Sequence, residues 1–209
     1  MKALLRRGPW LTLAIVLLTV GLGSRGAFEL DRAAVAGGEW WRMLTGQLVH
    51  YGRAHAVGDI LGFAGWAAII EWRSRRLWLA AMAASLAIIG AGILLFCPEV
   101  THYRGLSGVD LALATIVLCV LGASPRIRRL RGGRALVGFA AAVYIAKLVF
   151  ELVTGHAILA PDLGLHVALL PAAHVLGAVA GLLAFVGWSH WRHGAIDCAA
   201  SLDGISSLG

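Results

Sequence analysis

The chain has 209 residues, of which 59% are apolar and 14% charged, and its mean hydropathy is +0.81. Soluble domains carry about a quarter charged residues, so there is too little polar surface here to coat a globule in water, and the same hydrophobicity excludes disorder. The formal net charge of +7 comes from 18 Lys and Arg against 11 Asp and Glu; these residues sit in short clusters between long uncharged runs, which excludes a nucleic-acid-binding face and leaves a polytopic membrane protein.

A bilayer-spanning helix needs about 20 mostly apolar residues. In chain order the candidate runs are Gly8 to Ser24, His55 to Ile70 with Asp59 inside it, Leu77 to Pro98, Gly105 to Ser124 with Asp110, Ala135 to Phe150 with Lys147, and Leu163 to Ser189. They predict an all-α bundle of six transmembrane helices, at roughly 9–26, 55–71, 77–97, 105–124, 135–152 and 165–189. Residues 1–193 then form one membrane domain without a soluble module, and the small, polar stretch 194–209 reads as a short flexible tail.

Lys and Arg in short loops stay on the cytoplasmic side. With the N-terminus inside, the inner segments hold Lys2, Arg6, Arg7, Arg73, Arg75, Arg76, Arg126, Arg128, Arg129, Arg131, Arg134 and Arg192; the outer ones hold Arg25, Arg32, Arg42, Arg53 and Arg104. The bias puts both termini on the cytoplasmic side, as an even number of spans requires. A cleaved signal peptide is the rival reading of the start, with Lys2, Arg6 and Arg7 ahead of an apolar core and small residues near Gly21 to Ala27. That core is longer than a usual signal core and its loss would leave an odd span count, so the first span is expected to be retained. Cys97, Cys119 and Cys198 fall at three different places and suggest no disulfide. Trp40, Trp41, Trp66, Trp78, Trp188 and Trp191 mostly fall where interfacial anchors belong, and Arg126 to Arg134 reads as an inner anchor.

Ionisable and reactive side chains inside a membrane are costly and mark candidate sites. In this topology spans two, four and six all run from outside to inside. Span two opens with His50, His55 and Asp59, span four with Gly105-Leu106-Ser107-Gly108, and span six carries His174 after Pro171. A serine and histidines thus share one depth near the outer face. A histidine that takes a serine's proton during attack and returns it to the leaving amine is the chemistry of nucleophilic catalysis. A serine at a helix start sits among backbone N–H groups without intrahelical partners, which can stabilise an oxyanion, and Gly105 and Gly108 let backbone approach closely. In span six Ala173, Gly177 and Gly181 form a small-residue stripe; packed on Gly108 and Ala112 of span four it brings His174 near Ser107.

Together, Trp41-Arg42, His50, His55, Tyr103-Arg104-Gly105-Leu106-Ser107-Gly108 and Ala173-His174-Val175-Leu176-Gly177 with Gly181 resemble the rhomboid family of intramembrane serine proteases, and most of all its compact rhombosortase branch. The resemblance covers roughly residues 40 to 187. It implies a six-helix rhomboid-like bundle and a Ser–His dyad without an acidic third member. Ser107 would be the nucleophile, His174 the general base, and His55 with the Ser107 N–H the oxyanion support. It also implies, for a bacterial protein, an inner-membrane location with the site toward the periplasm, and no cofactor or metal. The partners it implies are the lipid bilayer and membrane-anchored substrates with a transmembrane segment, a tail of small residues, an apolar helix and a basic end.

Asp59 stands where the family often has Asn. A carboxylate cannot donate to an oxyanion, which leaves three readings for Asp59: protonated by burial, orienting His55, or without a catalytic part, with orientation of His55 the favoured one. His50 reads as a structural tether of the first loop, and His102, His156 and His166 carry no assigned chemistry. Asp110, three residues after Ser107, has two readings: a charge pair with Lys147, which also has Glu151 four residues away and is the favoured one, or tuning of the Ser107–His174 dyad. Two readings compete with the protease: a haem- or metal-binding membrane protein using His55 and His174, and a non-catalytic rhomboid-like binder of transmembrane helices. The second would require loss of the serine or the histidine, and both are present.

Overall fold

The computed structural model describes residues 8–155 and 170–206, with the side chains of 193–206 excepted. The expectations for Lys2, Arg6, Arg7, His156, His166, Cys198 and the start of the sixth span at 165–169 lie outside the described residues or side chains. The described part is mostly helical. Helices α1 (Trp10–Leu22), α4 (Arg53–Arg73), α5 (Arg75–Phe96), α6 (Ser107–Ala123), α8 (Gly133–Thr154) and α9 (Pro171–Ser206) fall where the apolar runs predicted them. Short helices α2 (Arg32–Ala36), α3 (Arg42–Thr45) and α7 (Pro125–Arg129) lie between them. Helix α9 continues through 194–206, the stretch expected as a tail.

Three segments are long and apolar enough to cross a membrane by length and composition: Arg75–Phe96, Gly133–Thr154 and Pro171–Arg192. The other three stop short of that for physical reasons. Helix α1 has 13 residues and rises only about 20 Å, less than the roughly 30 Å of a bilayer's hydrocarbon core. Helix α6 has 17 residues, and α4 carries Asp59 and Glu71 as well as its terminal arginines.

The core runs between α4, α5, α6 and α9 and holds Phe63, Ile70, Leu77, Ile89, Ile93, Leu113 and Ile116, each almost wholly buried. Helix α8 stands apart from it, exposing Leu136, Phe139, Val143, Ile145, Val149 and Val153. An apolar surface of that extent needs a lipid or protein partner. At one end of the bundle Arg73 and Arg192 lie over the Trp188 ring and Arg76 lies 4.5 Å from the centroid of the Trp191 ring, cation–π contacts that gather the basic residues of three helices.

Helix α1 joins the bundle through polar contacts as well as apolar ones. The Leu11 and Thr12 N–H groups and the Thr12 hydroxyl donate to the Glu71 carboxylate, and the Trp78 indole donates to Thr12 Oγ1 at 3.1 Å. These are the first-turn N–H groups that a helix leaves unpaired, so buried Glu71 serves as a long-range cap.

The stretch between α1 and α4 is folded. Strand β1 (Leu30–Asp31) pairs antiparallel with β2 (His102–Tyr103), Leu30 opposite Tyr103. Asp31 caps α2 by accepting from the Ala33 and Ala34 N–H groups, which holds its carboxyl below the usual range. The Arg32 guanidinium donates to the carbonyls of Ile93, Leu94 and Cys97 at the C-terminal end of α5, where unpaired carbonyls and the helix dipole favour a cation, and to that of Val100 in the following loop. Arg104 pairs with Glu29 at 2.6 Å and donates to Ser24 O. Both ends of the loop before Ser107 are thereby held by the first loop.

Candidate active site

Ser107 is the first residue of α6. The chain reaches it through Gly105, whose φ of +133° is a conformation that L side chains rarely adopt. A Cβ there would also lie 3.1 Å from the His55 ring. The Gly105 N–H donates to Gly46 O, and the Tyr103 hydroxyl donates to Gly105 O at 3.1 Å. Burial pushes the Tyr103 phenol well up, so it stays a donor.

Helices α6 and α9 meet along the small-residue stripe. A Cβ at Gly177 would collide with the Gly108 carbonyl, one at Gly181 with the Ala112 carbonyl, and one at Gly108 would sit 2.9 Å from the Ala173 carbonyl. The two backbones therefore touch, and glycine is what lets them. This contact sets His174, itself 5% exposed, with Nε2 at 2.9 Å from Ser107 Oγ.

On the other side of the ring, His174 Nδ1 lies 2.8 Å from Glu151 Oε2 of α8. Lys147 donates to both oxygens of Glu151 at 2.7 Å. Two expectations are corrected here. The Ser107–His174 pair has an acidic neighbour, Glu151, and Lys147 pairs with Glu151 rather than with Asp110. Lys147 and Glu151 are one turn apart on one face of α8, whereas Asp110 is buried on the face of α6 turned to α4, where Gly62 leaves it room: a Cβ at Gly62 would be 2.8 Å from Asp110 Oδ2. Asp110 Oδ1 has no hydrogen-bond partner among the described residues. Among the described residues no hydrogen bond or ion pair joins the Asp110 side chain to Ser107 or His174.

Asp59 does more than orient His55. Its Oδ2 accepts from the Leu106 N–H at 2.8 Å and the Ser107 N–H at 3.1 Å, and it lies 3.2 Å from His50 Nε2 and 3.3 Å from His55 Nε2. One carboxylate oxygen thus caps the start of α6 and gathers both histidines. His50 and His55 reach the site through Asp59, and the Ser107 N–H and His55 Nε2 expected to support an oxyanion both face this oxygen. Gly108 contributes close packing under Ala173. His55 and His174 direct their Nε2 atoms to different acceptors, Asp59 and Ser107, which is not the arrangement of two axial ligands sharing one haem.

Removing the Asp59 acceptor would leave two backbone N–H groups and two ring nitrogens without it in a nearly closed site. Each buried unsatisfied group costs about 1–3 kcal/mol. Asp59→Leu is expected to lower stability by about 4 kcal/mol or more, while Asp59→Asn, which keeps one acceptor oxygen, costs about 1 kcal/mol. Unfolding midpoints of the two variants in detergent measure the difference; equal, small losses would contradict the capping role.

Sequence reasoning did not find the contact of Glu151 with His174, nor the contact of Asp59 with the N-terminus of α6. The available signal for Glu151 was its carboxylate inside a predicted span one turn from Lys147. No protein-family model matches this sequence, and no curated protein matches it either.

Proposed function

We propose that the protein is a rhomboid-like intramembrane serine endopeptidase, a bundle of six membrane helices with both termini cytoplasmic and its site near the outer face. The observation that carries this reading is the 2.9 Å contact between Ser107 Oγ at the start of α6 and His174 Nε2 on α9, made by two helices whose backbones touch. Support for the orientation comes from the charge distribution: Arg73, Arg76 and Arg192 cluster around Trp188 and Trp191 at the end away from Ser107.

The chemistry follows from the contact. Ser107 Oγ attacks a peptide carbonyl while its proton passes to His174 Nε2, forming a tetrahedral oxyanion and an imidazolium. The imidazolium then protonates the departing amine, leaving an acyl-Ser107 ester. A water molecule gives a proton to His174 and attacks the ester, and the imidazolium passes that proton to Ser107 Oγ as the bond to the acyl carbon breaks, releasing the carboxylic acid and restoring both side chains. The oxyanion would rest near the Ser107 N–H and His55 Nε2 and compete there with Asp59 Oδ2 for those donors. Substrates of this reading are membrane-anchored proteins cut close to the outer interface, where water can enter, with the short C-terminal tail that the rhombosortase resemblance implies.

The test is cleavage of a single-span substrate with a small-residue segment on its outer side, co-reconstituted with the full chain in lipid vesicles. The expected result is one cut near the outer end of the span, absent with Ser107→Ala and with His174→Ala. Cleavage that survives either substitution contradicts the reading.

A further inference from the structure

Helix α8 is apolar along its length and turns Leu136, Phe139, Val143, Ile145, Val149 and Val153 outward. Of its residues, just Gly133 and Glu151 are buried. A carboxylate in such a helix is expensive and is retained where partners satisfy it. The Glu151 side chain, 1% exposed, accepts from Lys147 at both oxygens and meets His174 Nδ1 at 2.8 Å.

The chemistry of the groups then sets the state of the ring. An ionised carboxylate has no proton to give, so the proton between Glu151 Oε2 and His174 Nδ1 belongs to Nδ1. In a neutral imidazole the other nitrogen is then an acceptor, and that nitrogen is the one 2.9 Å from Ser107 Oγ. Lys147 holds both carboxylate oxygens and leaves little freedom for the acid to turn away.

We propose that Glu151, clamped by Lys147, is the positioning residue of the site: it holds His174 as the Nδ1–H tautomer with Nε2 aimed at Ser107, and it stabilises the imidazolium formed when Ser107 loses its proton. The proposal rests on the Ser107–His174 hydrolase reading and replaces its dyad by a Ser–His–Glu relay spread over α6, α9 and α8. Glu151 acts through His174 and touches no substrate.

The test uses the full chain in detergent or lipid discs, with two readouts. The first is the rate at which a fluorophosphonate labels Ser107. Glu151→Gln keeps the shape, but its amide can donate to Nδ1 and so favours the Nε2–H tautomer, which cannot accept the serine proton. Its labelling is expected to fall by about 10³-fold or more, the size of effect that a wrong tautomer has in a triad. Glu151→Asp keeps the carboxylate and is expected to label faster than Glu151→Gln by at least about tenfold. The second readout is the ¹⁵N spectrum of ring-labelled histidine, with the His174 signals identified by their loss in His174→Gln. Nε2 is expected to be unprotonated in the parent protein and protonated in Glu151→Gln, a change that a merely structural role would not produce.

Labelling of Glu151→Gln within threefold of the parent, or a parent ring carrying its proton on Nε2, overturns the proposal. A parent protein that takes no label overturns the hydrolase reading, and its ring spectrum still decides whether Glu151 fixes the tautomer. Should Glu151→Gln fail to fold, the parent spectrum and the Glu151→Asp rate decide, with a rate indistinguishable from Ser107→Ala counting against the proposal.

Discussion

Ser107→Ala and His174→Ala are each expected to reduce substrate cleavage by about 10⁴-fold or more, and the double variant to lose no more than either single one. The size follows from the shared role of the two side chains. Without the Ser107 hydroxyl no acyl-enzyme can form, and without His174 the hydroxyl keeps its proton, since the Nε2 atoms of His50 and His55 face Asp59. Groups that act as one unit show losses that do not add. Initial rates of cleavage in vesicles, with the variants shown to be folded by their unfolding midpoints, provide the measurement. Additive losses would mean that the two residues work in separate steps.

Gly177→Leu is expected to lower stability by about 3 kcal/mol or more and to reduce Ser107 labelling by about 10²-fold at the least. A Cβ at that position would overlap the Gly108 carbonyl, and a leucine adds three further carbons in the same direction. Neither backbone can yield alone, because Gly108 lies under Ala173 and Gly181 rests on Ala112 one turn farther along. Helix α9 must therefore move off α6 and carry His174 away from Ser107; a displacement of about 1 Å can already cost 10²-fold. Gly187→Ala on the same helix is the control, since a Cβ there meets nothing within 4 Å, and both quantities are expected to stay near the parent values. Denaturation in detergent and labelling rates measure the two effects on the same samples. Parent-like stability in Gly177→Leu would contradict the close packing of α6 and α9.

The reach of the sequence can be traced residue by residue. The positions of α1, α4, α5, α6, α8 and α9 were legible because apolar runs and their bounding arginines are local features, although three of these helices reach the length and apolarity of a membrane span. The stripe Ala173, Gly177, Gly181 was legible because its four-residue repeat puts small residues on one helix face, and that face is the one α6 occupies. The neighbours of His174 were harder to see. Helix α8 is apolar on nearly every side, so no periodicity announces which side meets α9. Glu151 could be read as Lys147's neighbour and not as a partner of His174. Asp59 was visible one turn after His55, but its contacts with the N–H groups of Leu106 and Ser107 join residues 47 and 48 positions apart. The fold of the first loop depends in the same way on distant pairs such as Arg32 with the end of α5 and Arg104 with Glu29. Asp110 misled for a local reason: sharing a helix with Ser107 says little about which neighbouring helix a side chain three residues on will face.

The proposed function stands or falls on Ser107 being a nucleophile activated by His174. Its most direct measurement is exposure of the purified full chain in lipid to a fluorophosphonate, followed by peptide mapping by mass spectrometry. One adduct per chain is expected, on Ser107, formed in the parent protein and lost in His174→Ala while that variant remains folded. A folded parent protein without an adduct on Ser107, or one whose adduct forms equally fast without His174, would contradict it.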